Sequence, residues 1–330
     1  LSTLALVNPK AREGALAERF PALKRELFDA LGESEAAVRV AFTTPEDHGA
    51  GIVRRALLEG VRRVVVIGGD GTLSEALQGF FDCTAGAPRA IAPEAELAVL
   101  PTGRGNDFFK SMVGERLLSS DEVWRRGLAL VRSWRARPTD VGSVSFPGAQ
   151  ANRVWINVTS FGMPGLIVQR VLSRAGFWGR SRVGKGAWTY LFQSGAALLQ
   201  YKPMRVEVLL DGREFYSGPV LNGFVLNGHY NAGGADWASG ASLDDGKFNV
   251  MIVEPQTPLQ SAACLPRMLS GRWEGAPRVH LGTGARVEIS LVDSGPKPHP
   301  IFEIDGDQPE PTEGRVGNFE VLAGAVRIVR

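Results

Sequence analysis

Cysteine is nearly missing: Cys83 and Cys264, far apart, are the two in 330 residues. That excludes a disulfide framework and leaves a structural zinc site without its usual ligands. The four histidines, His48, His229, His280 and His299, stand at no metal-ligand spacing. Long apolar runs are absent too, since none approaches the ~18 residues that a membrane-spanning helix needs, and Leu1 to Lys10 lacks a secretion-signal pattern. Net charge is small: 37 Lys+Arg against 35 Asp+Glu gives +2, which argues against a bulk nucleic-acid binder. The expectation is a soluble, cytoplasmic protein of a reducing compartment. A hydrophobic content of 44% is enough for a sizeable core, and the length fits one large domain or two ordinary ones.

Short apolar runs alternate with helical patterns in the first third of the chain. Leu4–Val7, Val38–Phe42, Val61–Ile67 and Leu97–Leu100 read as strands. A stretch reaching about Leu31, then Gly51–Glu59 and Leu73–Phe80, read as helices between them. This order predicts a parallel sheet with helical crossovers. Past about Trp134 the texture changes. Val154–Thr159, Met204–Leu210, Val220–Leu226, Phe248–Val253 and Ala285–Val292 read as strands, separated by Asp211-Gly212, Asn227-Gly228, Asp245-Gly246 and Asp305-Gly306 turn signals. One helix-like segment, about Trp188–Leu199, interrupts them. The predicted organisation is an α/β domain over 1–135 and a mostly antiparallel domain over 136–330.

Two glycine loops carry the chemistry. In Val64-Val-Val-Ile-Gly68-Gly69-Asp70-Gly71-Thr72-Leu-Ser-Glu75 a strand runs through glycines into a helix. Glycines let backbone approach phosphate oxygens, and the helix start offers free N–H groups. The same residues also read as a tight turn with a Thr72-x-x-Glu75 capping box. Asp70 would repel a bare polyphosphate, so it fits a site with Mg²⁺, a base, or an Asx turn. The second loop, Pro101-Thr102-Gly103-Arg104-Gly105-Asn106-Asp107-Phe108, ends another strand at the same carboxyl edge, where open α/β sheets bind ligands.

Together, Gly68-Gly69-Asp70-Gly71-Thr72 with Glu75 and Pro101-x-Gly103-x-x-Asn106-Asp107-Phe108 resemble the diacylglycerol kinase catalytic domain family, which includes bacterial diacylglycerol kinases and the related sphingosine and ceramide kinases. The resemblance continues in order through Asn8-Pro9, Thr44, Asp140-Val-Gly, Asn157 to Gly162, Leu243-Asp-Asp-Gly-Lys-Phe248 and Asp305-Gly306-Asp307. It implies an α/β nucleotide domain against a β-sandwich, with ATP and a lipid acceptor meeting in the cleft. By the resemblance, Asn8, Thr44, Gly68, Gly69, Asp70, Gly71, Thr72, Glu75, Thr102, Gly103, Arg104 and Asn106 contact ATP. Asp107 and Asp140 would join a carboxylate network around Mg²⁺. A further Mg²⁺ would sit on the Asp245 carboxylate and the carbonyls of Ser242 and Lys247, where the residues alone read as a plain hairpin turn.

The family's base lies in an Asp-Gly-Glu motif. Here it reads Asp305-Gly306-Asp307, which keeps the carboxylate but shortens it by a methylene, roughly 1.5 Å of reach. Asp307 is the base by resemblance, with Asp305 or Asp70 as substitutes. Arg104 stands where the family usually has threonine and fits a phosphate clamp or a solvent-facing side chain. Relatives often close with a segment returning to the first domain, and the Val326–Arg330 ending is expected to make that return short or absent.

From Val141 to Val206 there is no acidic side chain, while Arg153, Arg170, Arg174, Arg180, Arg182, Lys185, Lys202 and Arg205 occur with Phe177, Trp178, Trp188 and Tyr190 among them. Such a segment fits docking on an anionic membrane, with Gly176–Gly186 as a mobile loop, or a solvated face over core aromatics. The expectation is a Mg²⁺-dependent ATP:lipid kinase at the membrane surface without nucleic acid. A soluble NAD or sugar-phosphate kinase and a non-catalytic nucleotide- or lipid-binding protein are the alternatives. Oligomeric state stays open, a homodimer included.

Overall fold

The computed structural model describes residues 3–11, 15–34, 36–84, 86–116, 118–149, 151–163, 201–293, 302–307 and 316–330. The first half is built on parallel strands β1 (Thr3–Val7), β2 (Val38–Phe42) and β3 (Arg63–Gly68). A short hairpin, β4 (Phe81–Asp82) and β5 (Arg89–Ala90), precedes β6 (Glu96–Pro101), which lies parallel to β3. The central strands are continuously apolar because both their faces are covered. Leu4, Leu6, Val64, Val66, Leu97 and Val99 pack under helices α2 (Gly49–Leu58) and α3 (Asp70–Gln78). The alternate residues Ala5, Val7, Val65, Ile67, Ala98 and Leu100 pack under α1 (Ala15–Leu31) and α5 (Ser120–Ser133). Each such burial stabilises the fold by ~1.5–3 kcal/mol per large side chain. Helix α4 (Asp107–Val113) follows β6.

The second half continues the same sheet. β7 (Ala136–Ser145), β10 (Met204–Leu210), β11 (Arg213–Val220), β17 (Arg286–Asp293) and the long β19 (Val316–Val329) extend it, each antiparallel to its neighbours among these five. The order runs β11-β10-β17-β19-β6-β3-β1-β2, with β7 beside β19 and β8 (Arg153–Trp155) beside β7. Facing it are β9 (Val158–Gly162), β12 (Asn222–Leu226), β15 (Phe248–Val253), β16 (Val279–Gly284) and β18 (Phe302–Ile304), ordered β16-β15-β12-β9-β18. Trp155 stacked on Phe248, with Phe161, Val206, Val225, Ile289 and Phe319, fills the space between the sheets. This is the expected parallel α/β half joined to a mostly antiparallel sandwich.

The return to the first half is present and short, as one of the two expected alternatives: Arg327 and Ile328 of β19 pair parallel with Glu96 and Leu97 of β6. Two expectations are corrected by contacts distant in sequence. The run from Val154 to Thr159 is two strands, because the N–H groups of Ile156, Asn157 and Val158 are captured by the Asp305 carboxylate. Asn227-Gly228 is no hairpin turn; both N–H groups donate to the Asn157 carbonyl. Helices Pro258–Ala263 and Leu265–Ser270 stand between two strands in a stretch to which the sequence assigned no element, and with the pair β13 (Tyr230–Asn231) and β14 (Ala235–Asp236) they cover the outer face of the smaller sheet over Trp237 and Trp273. The anticipated helix Trp188–Leu199 and the loop Gly176–Gly186 lie outside the described residues, as does His299.

Candidate active site

Both glycine loops emerge at the carboxyl ends of adjacent strands, β3 and β6, so parallel pairing alone brings them together. Their backbones touch: a Cβ on Gly103 would lie 2.6 Å from the Gly69 Cα and 2.9 Å from Asn106 Oδ1. The Thr102 N–H donates to the Gly68 carbonyl at 2.8 Å. Asn106 holds the second loop from a left-handed backbone (φ 51°), its side-chain amide donating to the Gly103 carbonyl. Asn106 Oδ1 and Thr102 Oγ1 are buried acceptors with no protein partner. Arg104 is exposed on the loop.

Asn8, at the end of β1, donates from Nδ2 to Thr72 Oγ1 at 2.9 Å and accepts the Lys10 N–H, fixing the first loop against its neighbour strand. Thr44 accepts the N–H groups of Glu46 and Asp47 through Oγ1 and turns the chain toward α2. The capping-box reading of Thr72 and Glu75 is overturned. Helix α3 starts at Asp70 with Gly69 as its N-cap, so Thr72 already lies inside it, and Glu75 instead accepts the Gly49 N–H at the start of α2. Gly71 has open space where a side chain would be.

Asp70 and Asp107 flank one point: a Cβ on Gly105 would lie 3.0 Å from Asp70 Oδ2 and 3.4 Å from Asp107 Oδ2. Burial, then the neighbouring Asp107 and more weakly Asp305, push the Asp70 carboxyl up to about 6, against the N–H of Phe108 that it accepts at 3.2 Å. Asp107 accepts the Gly233 N–H at 2.8 Å, and its other oxygen faces the buried Lys110 ammonium at 3.5 Å.

The Asp305-Gly306-Asp307 turn comes to this edge from the sandwich. Asp305 adopts φ +49° and Gly306 +85°, the left-handed pair of a tight turn closed by two Ile304–Asp307 backbone hydrogen bonds. Asp305 accepts three backbone N–H groups, from Ile156, Asn157 and Val158, at 2.8, 2.9 and 3.1 Å. Burial raises its carboxyl above the usual range, opposed by those three donors. Asp307 is exposed at the tip and paired with Arg153 at 2.7 Å.

Asp140 is placed differently from the expected network. Its two oxygens accept the N–H groups of Gly246 and Gly324, each at 2.7 Å, so the carboxylate ties the acidic turn to the irregularity in β19. Asp107 and Asp140 therefore have separate partners. At the acidic turn, Asp245 accepts the Lys247 N–H, and Ser242 donates to Asp244, whose carboxyl this bond and Arg330 hold below the usual range. These are the contacts of a tight turn. Among the described residues no three His, Cys, Asp or Glu side chains converge as a metal cage. Sequence reasoning missed Glu303, buried below the Asp-Gly-Asp turn, although Glu303-x-Asp305-x-Asp307 is visible as an alternating acidic run.

A parallel sheet with two abutting glycine loops, continuous with a β-sandwich that supplies an acidic turn, is the two-domain architecture of a lipid kinase family. The chain carries both parts of that architecture: residues 2–144 match the diacylglycerol kinase catalytic domain, and residues 174–330 match the YegS C-terminal NAD kinase beta sandwich-like domain. It is 25% identical over 307 residues to a "Probable lipid kinase YegS-like" of Citrobacter koseri, covering 92% of this chain and 89% of the relative. A Staphylococcus aureus diacylglycerol kinase is 27% identical over 272 residues, 82% of this chain and 78% of the relative. The structure of a diacylglycerol kinase from Bacillus anthracis superposes with a TM-score of 0.62 at 17% identity, covering 99% of this chain and 96% of that one, a likeness of fold.

Proposed function

We propose that this protein transfers the γ-phosphate of ATP to a lipid hydroxyl, with residues 1–135 holding the nucleotide and residues 136–330 the acceptor. The observation that carries the reading is the pairing of Asp70 with Asp107 at the edge where the glycine loops touch, with Asp305 of the acidic turn near enough to act on Asp70. The cradle fits phosphate: closely approached backbone at Gly69 and Gly103, a helix start at Asp70, and orphaned polar atoms on Thr102 and Asn106. The paired carboxylates fit Mg²⁺, a hard cation that prefers oxygen donors. Asp70 and Asp107 would hold it, and when bound it supplies charge neutralisation at the phosphates.

Asp307 is the proposed proton acceptor for the lipid hydroxyl. It stands exposed at the tip of its turn, whereas both oxygens of Asp305 are occupied by backbone donors that hold the turn in place. Arg153 orients Asp307 by a charge-assisted bond. Docking is proposed at an anionic membrane, supported by the acid-free stretch Val141–Val206 and by the exposed Lys202 and Arg205; Arg170, Arg174, Arg180, Arg182 and Lys185, with Phe177, Trp178, Trp188 and Tyr190, lie outside the described residues. Among the described residues no helix is long and apolar enough to cross a membrane.

Incubation with γ-labelled ATP, Mg²⁺ and either mixed lipid vesicles or NAD separates the readings. Label in the organic phase is the expected result. Label on NAD, or on neither with ATP still bound, overturns the proposal.

A further inference from the structure

Glu303 is a carboxylate that the assignments above leave without a role. It lies on β18 directly opposite Ser160 of β9, and it is 5% exposed while Ser160 is fully buried. The Ser160 hydroxyl donates to Oε2 in a short contact, and Oε1 accepts the Gly306 N–H at 2.7 Å. That N–H belongs to the second central residue of the turn, whose own closure uses only the backbone of Ile304 and Asp307. Glu303 therefore reaches up from the residue preceding the turn and takes hold of its apex. Few groups compete for it. β9 offers Ser160 and no charged residue, the turn offers Asp305 and Asp307, and β8 offers Arg153, which is engaged with Asp307.

We propose that Glu303 is a positioning residue that fastens the turn carrying Asp305 and Asp307 through the Gly306 amide, with Ser160 orienting its carboxylate. The hold depends on pH. Burial, reinforced by Asp305 and Asp307 and opposed by Ser160 and Gly306, pushes the Glu303 carboxyl up to about 7. Above that pH an ionised acceptor binds the Gly306 N–H, and below it a neutral one does, with roughly half the strength. The turn is held more firmly as pH rises through neutrality, so the position of Asp307 is firmer on the alkaline side. The effect on turnover rests on the kinase reading above; the hold on Gly306 does not.

The test follows the Gly306 amide by ¹H–¹⁵N spectroscopy of the full chain between pH 5 and 9, alongside kcat for lipid phosphorylation. In the wild type the amide should shift in one transition near neutrality, and kcat should rise through the same range. Glu303→Gln, isosteric and unable to ionise, should lose the amide transition and keep only the part of the kcat rise that Asp70, at about 6, sets, while KM for ATP is unchanged. Ser160→Ala keeps Glu303 but removes a donor to its ionised form, which should move the amide transition upward by about one pH unit. This second variant keeps the test sound should the first fail to fold. A Gly306 amide that does not titrate near neutrality overturns the proposal. So does an amide transition that survives Glu303→Gln. Absence of transfer from the wild type at every pH would sink the kinase reading, and the amide titration would still decide the role of Glu303.

Discussion

Replacing Asp70 by Asn should abolish transfer and stabilise the unliganded protein. The Asp70 carboxyl stands at about 6 against an ordinary 3.8, because it is buried beside Asp107. The folded chain therefore holds this proton more tightly than the unfolded chain does. Stability falls as pH rises from about 4 to about 6 and then levels off. The gap corresponds to about 3 kcal/mol at neutral pH, an order-of-magnitude figure at 1.36 kcal/mol per pH unit. Asn cannot ionise, yet its Oδ1 still accepts the Phe108 N–H that Asp70 Oδ1 accepts. For cooperative unfolding of a chain this long, ~3 kcal/mol is about 4 °C in Tm. The assay is thermal unfolding of both proteins at pH 4.5 and pH 7.5, without and with Mg²⁺ and ATP. Asp70→Asn should exceed the wild type by only about a third as much at the lower pH as at the higher, where the gap is several degrees. Added Mg²⁺ and ATP should raise the wild-type Tm more than the variant's. A variant no more stable at pH 7.5 than the wild type would refute the strained carboxylate pair.

Gly103→Ala should cost about 1–3 kcal/mol and weaken ATP binding, since its Cβ meets the Gly69 Cα at 2.6 Å; chemical denaturation and nucleotide titration check both. Asp305→Asn should cost about 2–3 kcal/mol, because one side-chain oxygen becomes an N–H donor facing the backbone donors of residues 156–158; denaturation showing no loss would contradict that role. Arg153→Ala should change stability by less than ~1 kcal/mol, as a partly exposed ion pair, yet lower kcat about tenfold by freeing Asp307. Melting curves and initial rates separate the two effects.

The parts of the fold that sequence made legible are those specified locally. The β-branched run of β3 and the apolar run of β6 are buried on both faces, and the residues from Phe248 to Val253 form one strand with those ends. Asp211-Gly212 joins β10 to β11, both residues at positive φ. What stayed hidden depends on distant partners. The break at Ile156 and Asn157 requires Asp305, about 150 residues away. The return of β19 rests on a two-residue pairing with β6 that leaves no composition signal. The start of α3 is set by where β3 ends, at Gly68, and this overrode the Thr72–Glu75 spacing. At the candidate site, glycines and aspartates pointed to the edge where the two loops touch. The division of labour among the carboxylates followed only from which backbone N–H groups each one accepts. Glu303 escaped because a glutamate in a short strand reads as an outward-facing residue.

The central claim is phosphate transfer to a lipid hydroxyl with Asp307 as proton acceptor. Its most direct test is labelled-phosphate transfer from ATP with Mg²⁺ to a panel of lipids in mixed micelles containing anionic lipid, with wild type and Asp307→Ala side by side. The account predicts product on a lipid acceptor for the wild type and a fall of at least about 10²-fold in the variant, within the usual range for a lost general base. Wild-type protein that binds ATP but labels no lipid would contradict the kinase assignment, and equal rates in the two proteins would contradict the role of Asp307.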